Sequence, residues 1–165
     1  MVDMKPSVYI ETSVISYLVA RPSRDIIIAA RQQVTHQWWD LRRSDFDLFV
    51  SELVIAEAAA GDPQAAARRI AIIEELPVIG ITPLAEELAD GILRRADLPS
   101  SARADALHVA IATSQGLDYL ITWNVTYLAN AVIRPRVEQA CRLAGYEPPV
   151  LCTPDQLVAG EEHNA

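Results

Sequence analysis

The sequence contains few of the residues that build zinc sites, disulfide frameworks or membrane spans. Its two cysteines, Cys141 and Cys152, form no CxxC pair and have no histidines clustered near them, so neither a zinc site nor a disulfide is indicated. No apolar run approaches the roughly 18 to 20 residues that span a bilayer, and the first residues do not resemble a signal peptide. We therefore expect a soluble, cytoplasmic protein with no membrane partner.

Lysine is also scarce, and the net charge of −8 argues against a nucleic-acid partner, because phosphate affinity normally comes from excess Lys and Arg. Lys5 is the only lysine among 14 basic residues. Arginine binds phosphate through two parallel hydrogen bonds, so local RNA-facing patches stay compatible with the acidic total. Solvated helix faces are the commoner explanation of each arginine pair, and the pairs are Arg42/Arg43, Arg68/Arg69, Arg94/Arg95 and Arg134/Arg136.

Several catalytic and cofactor motifs are missing. No GxGxxG or P-loop pattern occurs, so a nucleotide cofactor is not expected. Ser13, His108 and Asp105 do not make an obvious triad, since Asp105 and His108 share one predicted helix and nothing marks a nucleophile elbow.

What the sequence does contain is an alternation of short apolar strands with helices. At 165 residues and 51% hydrophobic content it can bury the core of one domain, residues 1–165. The alternation predicts an α/β fold with a central, mostly parallel sheet of four to five strands between helices. Strands are predicted at 8–10, 48–50, 78–81 and 119–122, with 150–151 as an edge strand. Helices are predicted at about 13–20 (capped by Ser13), 25–41, 51–60, 63–76, 82–96, 102–115, 125–131 and 135–144.

Three carboxylates lie where carboxylates are costly. Glu11 ends the first buried strand, Glu57 lies in an apolar arc of its helix, and Asp105 lies on a helix that is apolar almost all round. Each alone could cap a helix, pair with a buried arginine or face a crevice. Together they favour a shared cation, and hard oxygen ligands select Mg²⁺, Mn²⁺ or Ca²⁺ over zinc, with Mg²⁺ suited to a site of few carboxylates.

The order of the segments ETS, SELVIAE, ADALHVAIA and YLITWN resembles the PIN domain, especially the VapC-like toxins. The resemblance spans about residues 7–130 and leaves a C-terminal helix and tail at 131–165. It implies a three-layer sandwich and a Mg²⁺- or Mn²⁺-dependent endoribonuclease, the toxin of a toxin–antitoxin pair. It further implies a homodimer and an antitoxin that inhibits it.

The resemblance also implies which residues act. The catalytic and metal-binding positions of the family fall on Glu11, Glu57, Asp105 and Asn124. Two of them depart from the family pattern, since Asp is usual in place of Glu11 and an acid is usual in place of Asn124. Glu11 is one methylene longer, and Asn124 offers a carbonyl oxygen without charge. We therefore expect weakened metal binding and favour one metal over two.

Four further residues are candidates for supporting roles. Thr12, Ser13 and Thr122 could orient water or the carboxylates, although ordinary turn and cap roles explain Thr12 and Ser13 equally well. His108 follows Asp105 by three residues on the same side of the helix and could reach phosphate or metal. A lone helix histidine is more often a hydrogen-bonded core residue.

The mechanism that these residues favour is in-line hydrolysis of single-stranded RNA by metal-activated water, without a covalent intermediate. Two alternatives stay open. A degenerate PIN domain could serve as a binding or assembly module with little catalysis, as Glu11 and Asn124 suggest. A different metal-dependent phosphohydrolase could act on small phosphate esters, but this requires a closed pocket in place of a groove.

Overall fold

The computed structural model describes residues 4–158, which form five strands and seven α-helices. No helix within this range is long and apolar enough to cross a membrane. The strands are β1 Ser7–Ile10, β2 Asp47–Ser51, β3 Val78–Ile79, β4 Tyr119–Ile121 and β5 Val150–Cys152. The helices are α1 Thr12–Val19, α2 Ile26–Leu41, α3 Glu52–Ala58, α4 Pro63–Ile73, α5 Pro83–Arg95, α6 Arg103–Ser114 and α7 Arg134–Leu143.

The strands form one sheet in the order β3-β2-β1-β4-β5, and every neighbouring pair is parallel. At the carboxyl edge Ile10 of β1 lies opposite Ile121 of β4, and Ser51 of β2 lies opposite Ile79 of β3. The prediction of a mostly parallel sheet of four to five strands is confirmed.

Strand β1 shows why helices must cover both faces of the sheet. Successive side chains of a strand point to opposite faces, yet Val8, Tyr9 and Ile10 are all fully buried. Helices α1 to α4 pack among themselves, and helices α5 to α7 form a second group. The predicted three-layer α/β sandwich, with the sheet in the middle, is confirmed.

Most helix starts follow from a capping side chain. Asp25, Ser51 and Thr82, where the sequence predicted three helices to begin, accept hydrogen bonds from backbone N–H groups in the first turns of α2, α3 and α5. The prediction for α1 was wrong, because Glu11 is the N-cap and Ser13 lies inside the first turn. A glutamate side chain can curl back to reach the N–H of Ser13, so the helix begins one residue earlier.

The helix predicted at 125–131 is also absent, and irregular turns occupy that segment. Two asparagines explain the difference. Asn124 Oδ1 accepts the backbone N–H groups of Thr126 and Tyr127, and Asn130 Oδ1 accepts two more, just before α7. Asparagine side chains compete with the helical backbone for its donors, and here they replace a regular helix with two capped turns.

The two cysteines are free and buried. Burial raises the pKa of Cys141 and of Cys152 to about 11, so both thiols stay protonated near neutral pH. Because the thiolate is the reactive form, these two residues act as core side chains.

Candidate active site

Parallel strands bring distant parts of the chain to one edge of the sheet. Glu11 follows β1, Thr122 follows β4, and Ser51 ends β2, all at the carboxyl edge. Helix α6 places Asp105 in its first turn. This edge is where α/β folds bind ligands, and it gathers the residues singled out in the sequence.

Glu11 is almost fully buried and is held by three protein donors. Its Oε2 accepts the backbone N–H of Ser13 at 2.6 Å, and its Oε1 accepts the hydroxyls of Ser13 at 2.8 Å and Thr122 at 2.6 Å. The Ser13 hydroxyl also accepts the N–H of Trp123 at 2.8 Å, which ties the start of α1 to the segment after β4. Ser13 and Thr122 thus orient the Glu11 carboxylate.

Glu57 projects from α3 and is held through a single oxygen. Its Oε1 accepts the Thr12 hydroxyl at 2.7 Å and lies 2.6 Å from His108 Nε2. Burial alone would raise the pKa of Glu57, but the hydrogen bonds from His108 and Thr12 and the attraction to His108 outweigh it, so the pKa lies below its usual range. Glu57 is therefore ionised, and its Oε2 has no hydrogen-bond partner within residues 4–158.

The pKa of Asp105 is shifted in the opposite direction to that of Glu57. Burial, the negative charge of Glu11 and, to a smaller extent, that of Glu57 raise the pKa of Asp105, although His108 and a hydrogen bond from Asn124 oppose the rise. Three carboxyl groups are therefore close enough to repel one another. His108 and Asn124 are the groups that oppose the shift, and no arginine or lysine contributes to it.

The amide of Asn124 has a defined orientation. Its Oδ1 accepts the backbone N–H groups of Thr126 at 3.2 Å and Tyr127 at 3.1 Å, so the NH₂ group is left to face Asp105, whose pKa it lowers. The residue therefore presents a donor to the carboxylate cluster in this structure. Its predicted role as a carbonyl ligand to metal stays a prediction.

His108 is buried, with only 1% of its surface exposed, and both ring nitrogens are engaged. Nε2 bonds Glu57, and Nδ1 lies 2.6 Å from the hydroxyl of Tyr9. The Tyr9 hydroxyl in turn lies 2.7 Å from the Ser51 hydroxyl. Sequence reasoning missed Tyr9, although a tyrosine inside a buried strand signals a hydroxyl that requires a partner.

A positive charge packs against the segment that follows β4. The guanidinium of Arg31 on α2 is 5.5 Å from the ring centroid of Trp123, which stands between Thr122 and Asn124 in the sequence. The Trp123 indole N–H also bonds the Thr35 hydroxyl at 2.8 Å. Neither Arg31 nor Trp123 was singled out in the sequence, since an isolated arginine on a long helix carries no signal by itself.

The donor chemistry at this edge fits a hard divalent cation. Carboxylate oxygens of Glu11, Glu57 and Asp105 are the ligands that Mg²⁺ prefers, and a cation would relieve the repulsion that raises the pKa of Asp105. Within residues 4–158, however, no three His, Cys, Asp or Glu side chains are already arranged around one metal position. Glu11 is held by protein donors, and its Oε2 accepts one of the three hydrogen bonds.

Removing the hydroxyl of Thr122 should destabilise this arrangement. Thr122 is fully buried, donates to Glu11 and accepts the Asn124 N–H at 2.9 Å. Thr122→Val keeps the shape but leaves a buried carboxylate and an N–H with one partner fewer. We expect the free energy of unfolding, from urea denaturation, to fall by about 1–3 kcal/mol.

Thr113→Val is the matched control. Thr113 is also buried, but among residues 4–158 its hydroxyl has only a 3.8 Å contact with the Cys141 sulfur. The control should change the free energy of unfolding by less than about 1 kcal/mol. Equal losses in the two variants would show that the bond to Glu11 contributes nothing specific.

The family relationship agrees with this geometry. The model of the PIN domain matches residues 8–125, which include all four predicted site residues. This chain belongs to the PIN domain family. None of the curated proteins matches it.

Two solved structures share the fold. VapC20 of Mycobacterium tuberculosis, described as a sarcin–ricin loop cleaving toxin, is similar with a TM-score of 0.57 and 21% identity, covering 73% of this chain and 92% of VapC20. VapBC2 from Rickettsia felis, solved with a DNA fragment from its promoter, is similar with a TM-score of 0.52 and 14% identity, covering 72% and 88%. At these identities the likeness concerns the fold, which is that of VapC-like PIN domains.

Proposed function

We propose that this protein is a divalent-metal-dependent endoribonuclease, the toxin of a toxin–antitoxin pair. The observation that carries the proposal is the cluster of Glu11, Glu57 and Asp105 at the carboxyl edge of a PIN-domain sheet, with a raised pKa at Asp105. Repulsion among partly buried carboxylates costs folding free energy, and a bound cation is the usual compensation.

Each residue has a distinct task in this proposal. A cation bound by the carboxylates, Mg²⁺ or Mn²⁺, would lower the pKa of a water molecule and neutralise phosphate charge. Glu57, held through Oε1, offers Oε2, and Asp105 supplies a second ligand on α6. Glu11 would complete the set, and Asn124 holds Asp105 in place. Arg31 attracts the RNA backbone past the acidic surface.

The partners follow from the same proposal. VapC20 is a toxin that cleaves the sarcin–ricin loop, and VapBC2 is a complex bound to promoter DNA. By this likeness we propose an RNA substrate, an antitoxin that occupies the acidic cluster, a homodimer and a cytoplasmic location. The net charge of −8 makes a basic segment the chemically matched inhibitor.

A second function is favoured by one specific observation. Asn124 directs its amide N–H toward Asp105 and so partly compensates, within the protein, for a cation. A PIN domain stabilised in this way could bind RNA or protein without cleaving. This alternative predicts no metal-dependent turnover.

The test is cleavage of a pool of structured and unstructured RNAs by the purified full chain, with EDTA, Mg²⁺ or Mn²⁺. We expect no cleavage in EDTA and discrete internal cuts with either metal, because three carboxylates alone cannot neutralise a phosphodiester. The same samples with p-nitrophenyl phosphate address the small-ester alternative.

The outcomes separate the candidates. Metal-dependent cuts in RNA without phosphatase activity support the ribonuclease. RNA binding with no cuts in either metal favours the binding module, and phosphatase activity without RNA cleavage would favour the small-ester enzyme. Cleavage that survives EDTA would contradict the proposed metal dependence.

A further inference from the structure

A buried chain of hydrogen bonds runs from β2 to Glu57 and is not explained by the proposed chemistry. The Ser51 and Tyr9 hydroxyls lie 2.7 Å apart, the Tyr9 hydroxyl and His108 Nδ1 2.6 Å, and His108 Nε2 and Glu57 Oε1 2.6 Å. Ser51 and Tyr9 are fully buried and His108 nearly so. Neither Tyr9 nor Ser51 can touch a substrate.

The proton positions along this chain follow from its two ends. Glu57 Oε1 accepts the Thr12 hydroxyl and lies 2.6 Å from His108 Nε2, so Nε2 supplies the hydrogen of that contact. At the other end, Ser51 Oγ accepts the Val54 N–H at 3.3 Å, which leaves the Ser51 hydroxyl to donate to Tyr9. The Tyr9 hydroxyl then donates to Nδ1 of His108, and every group is satisfied.

The opposite assignment of donors and acceptors along this chain does not fit the contacts of Ser51. If His108 Nδ1 donated to Tyr9 and Tyr9 donated to Ser51, the Ser51 proton would have no acceptor among residues 4–158. Burial also raises the pKa of Tyr9 far above its usual value, so its hydroxyl keeps its proton. The hydrogen-bond geometry selects the arrangement in which His108 carries hydrogen on Nε2 and accepts at Nδ1.

We propose that Tyr9 and Ser51 are positioning residues that set the tautomer and ring orientation of His108. In that tautomer, the Nε2–H of His108 and the hydroxyl of Thr12 hold Oε1 of Glu57 and leave Oε2 for the cation. This inference rests on the proposed function, because it assigns Glu57 to a divalent cation. Groups that orient a ligand in this way typically change metal affinity by about 10- to 100-fold when removed.

The test is Tyr9→Phe, which removes one hydroxyl and keeps the ring that packs edge-on against His108. Two readouts are measured on the full chain, namely imidazole ¹⁵N shifts, assigned with His108→Gln, and Mn²⁺ affinity from the electron paramagnetic resonance of free Mn²⁺. We expect the Nε2–H tautomer alone in the wild type and a mixture in Tyr9→Phe. Mn²⁺ affinity should fall about tenfold in the variant.

Tyr119→Phe is the matched control. It makes the same chemical change on neighbouring strand β4, where the tyrosine hydroxyl has no hydrogen bond within residues 4–158. Its tautomer pattern and Mn²⁺ affinity should equal those of the wild type. A loss as large as that in Tyr9→Phe would assign the effect to general loosening of the sheet and overturn the proposal.

Single and double variants test whether the Tyr9 hydroxyl affects Glu57 through the His108 imidazole. Glutamine can place an amide N–H where His108 Nε2 stands, without help from Tyr9, so His108→Gln should keep Mn²⁺ affinity within about threefold, whereas His108→Leu should lose about tenfold. In the His108→Gln background, Tyr9→Phe should cost nothing further. Equal affinities of the Gln and Leu variants would overturn the proposal, and this comparison serves if Tyr9→Phe does not fold.

Failure of the positioning role of Tyr9 and Ser51 and failure of the proposed function give different results. If the wild type binds Mn²⁺ but Tyr9→Phe changes neither the His108 tautomer nor the Mn²⁺ affinity, the positioning role alone is overturned. Absence of Mn²⁺ binding by the wild type overturns the metal-dependent function, and the positioning role falls with it.

Discussion

Asp105→Asn is expected to abolish RNA cleavage and, at neutral pH, to make the protein more stable. Asp105 supplies a charged ligand that the amide does not replace, so the cleavage rate in Mg²⁺ should fall by on the order of 100-fold or more. Stability should rise because burial and the charges of Glu11 and Glu57 raise the pKa of Asp105, which makes its ionised form unfavourable in the folded state.

The stability gain expected from Asp105→Asn depends on pH. A carboxyl whose pKa is raised on folding destabilises the protein once the pH exceeds its unfolded pKa, about 3.9 for Asp. The gain from Asp105→Asn should therefore be complete at pH 7 and disappear as the pH falls toward about 4. Urea denaturation of both proteins at several pH values, without metal, measures it.

Asp118→Asn is the control for this variant. Asp118 precedes β4 at the opposite edge of the sheet, where its Oδ2 accepts the N–H of Ser7 at 2.8 Å and the Ser7 hydroxyl at 3.0 Å. It should cleave like the wild type and gain no stability. If Asp105→Asn kept cleavage within tenfold of the wild type, Asp105 would not be a metal ligand.

Asn124→Asp is expected to strengthen metal binding and cleavage. Aspartate can keep the two hydrogen bonds that Oδ1 accepts from Thr126 and Tyr127, while its second oxygen replaces the NH₂ group beside Asp105. Without metal, the added repulsion should lower the melting temperature. With Mg²⁺ the order should reverse, because affinity rises by on the order of tenfold with the extra charged ligand.

Thermal unfolding over a Mg²⁺ titration, alongside RNA cleavage, measures both effects. Asn130→Asp is the matched control, because Asn130 also caps backbone N–H groups, those of Val132 and Ile133, and has no contact with the carboxylates in the described part of the chain. It should show no added response to Mg²⁺.

Cleavage by Asn124→Asp alone, with an inactive wild type, would favour the binding-module function. The same Mg²⁺ response in the wild type and in Asn124→Asp would mean that position 124 does not face the cation.

Much of the fold could be predicted because local chemistry and tertiary packing agree. Buried runs such as 8–10 and 119–122 predicted strands that the structure contains, and Asp25, Ser51 and Thr82 predicted helix starts. The failures occurred where a polar side chain competes for backbone donors. Glu11, and not Ser13, caps α1, and the segment after Asn124 forms a turn in place of the helix predicted at 125–131.

The sequence by itself determined the class of fold and the family, because these depend on periodicity and on the order of short motifs along the chain. Only the tertiary structure decided the direction of each polar atom. Glu11 meets Thr122 across 111 residues, and Glu57 meets His108 across 51. Periodicity predicts the face on which a side chain lies, whereas its hydrogen-bond partner depends on which strands become neighbours in the sheet.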